Sequence, residues 1–286
     1  MTDNLERLKD WIGKTETVEE RASAGRIQGL AALLDKADVP REGDPVGPMG
    51  HWCYFKPRVR QSEVGPDGHP KRGGFMPPVP LPRRMFGGFR TTYHKPLILG
   101  EMMRKEAEIK SVQIKNGRTG TLVICTVANR FSGEAGLAIE EEHDFVYRDN
   151  PPADAKDSSG NSGKTAMAPD DFQFSREITP DPVMLFRYSA CTFNGHRIHY
   201  DYKYVTEVEG YPGLIVHGPL IATFLVELGV ENNPNRKLTS YSFQARAPLF
   251  GHNPFTVAGK PTASGCDLWS ITPEGRISAT GAVGFS

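Results

Sequence analysis

The sequence predicts an α+β fold in which antiparallel strands wrap around a buried central helix. Three features point there. The run from Leu214 to Val230 is apolar on every side, the pattern of a helix enclosed by other elements. Blocks of strand-like sequence are broken by turn signals, as in antiparallel sheets. The order of helices followed by a run of strands occurs twice, without a strong sequence repeat.

Taken in order, Leu5, Leu8, Trp11 and Ile12 follow helical spacing, and Ile27, Leu30, Ala31 and Leu34 do so in a second helix expected over 19–35. Residues 44–82 are rich in proline and glycine, which denies regular structure and predicts a long loop on the surface or over a cleft. Strands are expected at 106–115, 121–131 and 137–148, with KNGRTG and SGEAG as the turns. Residues 149–168 are Pro, Ser, Gly and Asp with little to bury, and read as a linker. The chain thus divides into an amino half (1–148), a linker (149–168) and a carboxyl half (169–286). The second half begins with a strand at 172–178 and a helix at 182–192, with Asp181 as its cap and Pro182 in its first turn. The polar segment 194–201 follows, then the apolar helix from Pro219. Strands at 238–249, 255–263, 267–272 and 276–285 complete the chain.

Composition removes several function classes. The 286 residues carry 34 Lys+Arg and 34 Asp+Glu, so nothing electrostatic argues for nucleic acid or an anionic membrane. Cys53, Cys125, Cys191 and Cys266 are far apart, with no CxxC and no zinc spacing, and read as free thiols in a reducing compartment. The apolar run contains His217, Pro219 and Glu227, which fits a core helix better than a membrane span. The first residues show no signal-peptide pattern, so a cytoplasmic enzyme is expected. There is no Gly-rich phosphate loop, no GxSxG and no metal motif.

What remains is chemistry at 186–220. His199 is a base near neutral pH, and Asn194 lies five positions before it. Asn194 either holds a water or the substrate, or caps the preceding helix, or both. Gly218 and Pro219 open the apolar helix, where amides lack intrahelical acceptors. They form an ordinary cap or a seat for a developing oxyanion. His217 reads as structural before catalytic. Arg197 and Arg246 suit an anion or a structural ion pair, and Arg83, Arg84, Arg90 and Lys95 form a candidate seat for phosphates.

FNGHRIHYD followed by GYPGLIVHGPL resembles the MaoC-like hydratase and dehydratase group, in the branch of hydroxyacyl-thioester dehydratase type 2 and mesaconyl- and itaconyl-CoA hydratases. MFGGFR, the stretch 95–127 and IEEEHDFVYR agree in the amino half. The resemblance implies a double hotdog, with one catalytic half and an acyl-CoA threaded between the halves. Coenzyme A is then part of the substrate and no separate cofactor is expected. A homodimer is possible. The family's common Asp-x-Asn-Pro-x-His pattern is here Asn194, His196, Arg197 and His199, so its second ionisable group is missing. The resulting expectation is a hydro-lyase for a short branched dicarboxylic enoyl-CoA. His199 acts as the base, Asn194 orients water and the Gly218 amide holds the thioester oxygen, while Arg197, His217, Arg246 and Arg90 contact the substrate. Alternatives are a dehydratase of longer 3-hydroxyacyl thioesters, a thioesterase using Asp201, or a non-catalytic acyl-CoA-binding hotdog.

Overall fold

Ten strands form one antiparallel sheet in a computed structural model that describes residues 5–117, 120–149 and 165–286. In chain order they are β1 (Thr15–Arg21), β2 (Arg83–Tyr93), β3 (Met102–Gly117), β4 (Gly120–Gly133), β5 (Gly136–Arg148), β6 (Phe174–Ile178), β7 (Leu238–Ala245), β8 (Phe255–Pro261), β9 (Gly265–Ile271) and β10 (Ile277–Phe285). Their order across the sheet is β1-β3-β4-β5-β2-β7-β10-β9-β8-β6. The strands of the two halves therefore do not mix. They meet at one seam, where Gly88 to Thr92 of β2 pair with Gln244 to Ser240 of β7.

Among the described residues three α-helices accompany the sheet: α1 (Ala24–Leu33), α2 (Pro182–Cys191) and α3 (Gly218–Glu231). Helix α3 is the apolar run seen in the sequence. Leu220, Ile221, Ala222, Phe224, Leu225, Val226 and Leu228 are all buried, and the helix packs on β7, β8, β9 and β10. No amphipathic stripe is needed because little of the helix meets water; of its residues only Glu231, at the end, is exposed. Helix α2 begins as expected, with the Asp181 carboxylate accepting from Met184 N at 2.6 Å, a cap worth about 1 kcal/mol.

The amino half fills its sheet with much less helix. A single 3-10 turn, Gly50–Cys53, sets Trp52 against Phe86, Phe89 and His143. The turn is fixed by a buried carboxylate. Glu141 accepts from Trp52 Nε1 at 2.9 Å and Thr91 Oγ1 at 3.2 Å, and lies 3.2 Å from His51 Nε2. Burial pushes the Glu141 carboxyl up, but these partners, His51 first, more than offset it and hold the group below its usual range.

Several local expectations are corrected. The helix expected over 19–35 starts only at Ala24, because Thr15–Arg21 is recruited as an edge strand by β3, with Thr15 opposite Glu108. Strand β2 had no clear pattern of its own; Gly87 and Gly88 interrupt the alternation at a bulge. The first helix is a short 3-10 segment, Arg7–Trp11. The loop 44–82 packs on the sheet at one end, where Val79 and Leu81 join a second core with Ile109, Val123 and Tyr147. Of the linker, 150–164 lie outside the described residues. All four cysteines are free thiols. Among the described residues no helix is long and apolar enough to cross a membrane.

Replacing Glu141 with Ala strands three donors in the core. It should cost about 3–5 kcal/mol of stability, read from urea denaturation of the purified chain; a loss under 1 kcal/mol would show that the carboxylate does not hold the turn.

Candidate active site

The segment after α2 turns sharply. Phe193 takes the left-handed conformation (φ 47°) that ends the helix, so Asn194 is not the C-terminal cap residue. Asn194 instead makes a local turn, with Oδ1 accepting from the His196 amide at 3.0 Å. Its Nδ2 donates to no acceptor among the described residues, so the side chain presents a donor. A single 3-10 turn, Arg197–His199, follows and buries the His199 ring.

Two hydrogen bonds tie this turn to the approach to α3. Ile215 N donates to Ile198 O at 3.0 Å, and His199 Nδ1 lies 2.7 Å from Ile215 O. A carbonyl can only accept, so Nδ1 carries the hydrogen and Nε2 is left with a bare lone pair. Burial pushes the His199 pKa down to about 4; the Ile215 bond opposes this and His69 adds to it. The ring is therefore neutral at pH 7, with its basic nitrogen unspent.

Beneath it lies His217. The two rings stack with centroids 3.6 Å apart and 19° between planes. His217 is fully buried, and its Nε2 pairs with Ser189 Oγ of α2 at 2.9 Å. Burial first, then His199, keeps its pKa well below normal. His217 therefore backs His199 rather than facing outward. It is also the residue preceding α3, so the same stack brings the helix start to His199.

Gly218 is the first residue of α3 and Pro219 the second. The first-turn amides have no intrahelical acceptor, and the helix dipole adds positive potential there. A side chain at 218 is impossible without movement: a Cβ would lie 2.6 Å from the Phe86 ring of β2. The amino half thus forms one wall of the helix opening.

A loop from the amino half covers the outer side. Arg197 N donates to Asp67 O at 2.9 Å and the Arg197 guanidinium to Pro66 O at 3.0 Å. Gly68 passes so close to Gly195 that a Cβ on Gly68 would sit 1.8 Å from the Gly195 oxygen. The docked loop carries His69, whose Nδ1 lies 3.2 Å from Asp67 Oδ2 and whose ring is 4.2 Å from that of His196. His196 in turn meets His199 edge-on at 5.4 Å. A row of four histidines results: His69, His196, His199, His217. Sequence reading placed His199 and His217 here but not His69, which comes from a proline-rich loop with no signal of its own.

The basic residues separate. Arg197 is spent on structure, with Asp201 at 2.7 Å and the Tyr204 ring beneath it at 4.1 Å. Asp201, the carboxylate a thioesterase would need, is held by Arg197 and by Tyr204 N. Arg90 stands on the opposite face of β2 from the buried Phe89, paired with Glu142 and Asp144. That face carries a groove of about 970 Å³ that includes Arg90 and Lys110 and none of the four histidines. Arg246 is exposed just beyond β7, its backbone bonded to Ser278, and among the described residues its side chain makes no hydrogen bond or ion pair. Arg83 is buried against Glu209 and Tyr211, and Lys95 donates to Ala135 O. Arg84 is the exception: it lies over Phe145 at 4.6 Å without a hydrogen bond or ion pair among the described residues.

Among the described residues, the grouping able to offer three metal ligands is Asp67, His69 and His196, with donor atoms within 4.8 Å of one another. Arg72 and Arg84 lie close enough to lower the His69 pKa, after burial, and so bias this corner against a cation.

Residues 49–251 match the family model of hydroxyacyl-thioester dehydratase type 2. A mesaconyl-C(4)-CoA hydratase of Chloroflexus aurantiacus is 42% identical over 96% of each chain. The chain belongs to the hydroxyacyl-thioester dehydratase type 2 family. The mitochondrial hydroxyacyl-thioester dehydratase type 2 of Schizosaccharomyces pombe is 25% identical over 92% of this chain and 91% of its own. Among solved structures, a MaoC-like dehydratase from Phytophthora capsici superposes with TM-score 0.70 at 14% identity, covering 99% and 98% of the two chains. A Mycobacterium tuberculosis protein described as a double hotdog superposes with TM-score 0.58 at 10% identity, covering 96% of each. These likenesses show the double hotdog fold that the sequence resemblance implied.

Neutral burial of histidines has a sign. In the unfolded chain they take up protons near pH 6.5, while folded His199 resists until about pH 4. Stability present above pH 6.5 is therefore lost as pH falls toward 4, by up to about 3 kcal/mol from His199 alone. Urea denaturation at pH 7.5, 6.0 and 5.0 should show this fall, and His199→Gln should flatten it; an unchanged slope in the variant would refute neutral burial.

Proposed function

We propose that the chain is a hydro-lyase that adds water reversibly across the α,β double bond of a short, branched dicarboxylic enoyl-CoA of the mesaconyl-CoA kind. The observation that carries the chemistry is His199, a neutral imidazole with Nδ1 locked and Nε2 free, stacked on the residue that opens α3. Family membership and the 42% identity to a mesaconyl-C(4)-CoA hydratase support the substrate class.

In hydration, His199 Nε2 takes a proton from water as the water oxygen bonds to the β-carbon. The π electrons move toward the thioester oxygen, where the Gly218 N–H and the helix dipole meet the developing charge. The imidazolium then returns a proton to the α-carbon and the carbonyl re-forms. Dehydration is the same path reversed. One base suffices because the proton leaves and returns on the same imidazole. Asn194 supports the water oxygen by donation from Nδ2, since its Oδ1 is occupied by His196 N. His217 positions His199. Coenzyme A belongs to the substrate, so no further cofactor is invoked. A homodimer is part of this reading and is checked by light scattering.

The commitment of Asp201 to Arg197 weighs against thioester hydrolysis. A dehydratase of longer 3-hydroxyacyl thioesters uses the same machinery, and a substrate panel decides between them.

His199→Ala should lower kcat by about 10³-fold, within the range for losing a general base, with the fold intact by circular dichroism. Turnover is followed at the enoyl-thioester absorbance band, and near-native activity would exclude His199 as the base. Asn194→Asp replaces a donor by an anion. It should reduce kcat and move the acid limb of the kcat/KM profile to higher pH, because a carboxylate nearby favours protonated imidazole.

A further inference from the structure

Basic side chains near the seam are nearly all engaged. Arg83 is bonded to Glu209, Arg90 to Glu142 and Asp144, Arg197 to Asp201 and Pro66, and Lys95 to Ala135. The Arg72 guanidinium donates to the carbonyls of Val79, Leu81 and Pro82. Only Arg84 of this set is half-buried with its N–H groups unspent among the described residues, its guanidinium carbon 4.6 Å from the centre of the Phe145 ring. The nearby carboxylates are already taken: Asp67 by His69, and Asp144 by Arg90 and Thr126. With Arg72 and Arg84 against the single Asp67, the corner holds excess positive charge.

Arg84 also lies at the right place. It is two residues before Phe86 on β2, hence on the same face of the strand and about 7 Å along it, and the Phe86 ring touches Gly218. After burial, its charge is among the influences that lower both His69 and His196. A half-buried guanidinium left without a partner is costly, and its planar fork matches a carboxylate.

We infer that Arg84 binds the free carboxylate of the substrate and thereby selects dicarboxylic over neutral enoyl thioesters. The inference rests on the hydratase reading above. With the thioester oxygen at Gly218, a carboxylate on the β-carbon extends away from the helix opening toward the guanidinium. The neutral histidines between them offer that anion no competing cation.

The test compares mesaconyl-C4-CoA with 3-methylcrotonyl-CoA, which has a methyl group in place of the carboxylate, on the full chain and on Arg84→Gln and Arg84→Lys. Arg84→Gln should lower kcat/KM for the dicarboxylic thioester by about 100-fold or more, with a loss on the neutral thioester at least tenfold smaller. Arg84→Lys should fall between, keeping charge but not the fork. Inhibition by free coenzyme A should change less than threefold. Equal losses on both thioesters, or a matching loss of coenzyme A inhibition, would assign Arg84 to the coenzyme or to folding and overturn the inference. No loss on either would overturn it as well. If the unmutated chain hydrates only the neutral thioester, the substrate reading fails together with the inference. If it hydrates the dicarboxylic one and Arg84→Gln does too, only the inference fails.

Discussion

The hydrogen bond from His199 Nδ1 to the Ile215 carbonyl, 2.7 Å long, is the constraint on which the site depends. It fixes the tautomer, and with the return bond from Ile215 N to Ile198 O it holds the 3-10 turn against the strand-like approach to α3. That approach is itself pinned, by Val216 N to Leu249 O at 2.8 Å and by bridging of Ile215 with Phe250. The imidazole is thus positioned by backbone, which has little freedom to drift. The stack on His217 then couples ring position to the helix opening, because His217 is both the ring below and the residue before Gly218.

In the proposed reaction, burial makes the His199 base usable over a wide pH range but also limits its strength. A histidine pushed down to about 4 is unprotonated at neutral pH without help, yet it is a weaker base than free imidazole. In the proposed hydration, proton transfer from water leans on stabilisation of the enolate at the far end of the substrate. That reading gives the start of α3 its importance, because amides fixed at a partly buried helix start meet a developing charge without having to reorganise. Both halves wall it. Phe86 closes one side of Gly218, while the Pro66–His69 loop closes over the catalytic segment through Arg197 and the glycine pair 68 and 195.

Legibility in the sequence followed how local each signal was. The helix α2 with its Asp181 cap and the wholly apolar α3 were plain, because capping and all-round burial are written in neighbouring residues. The strands β3 to β5 and β7 to β10 were plain within a few residues for the same reason. The end of β1, residues 19–21, was read as the start of a helix and the rest of it was not assigned, since TVEERASAGRI has no strand signature strong enough to compete with the helical spacing after it. β2 was missed because a glycine bulge interrupts its alternation, although this strand carries the seam. Arg197 suited either an anion or a structural ion pair, and Asp201, four residues on, is its partner.

By itself the sequence determined the two runs of strands, the buried helix and the pairing of a histidine segment with a helix opening, because each depends on residues close in the chain. Only the tertiary structure decided which groups share the site. His69, Phe86 and Arg84 come from the other half, more than a hundred residues away, and reach the row through the sheet seam and a docked loop. The same folding removed Arg90 and Arg197 from the available cations by giving each a carboxylate partner. Charge in a sequence says what a side chain can bind; which ones are left unpaired depends on long-range packing, and that cannot be read from spacing.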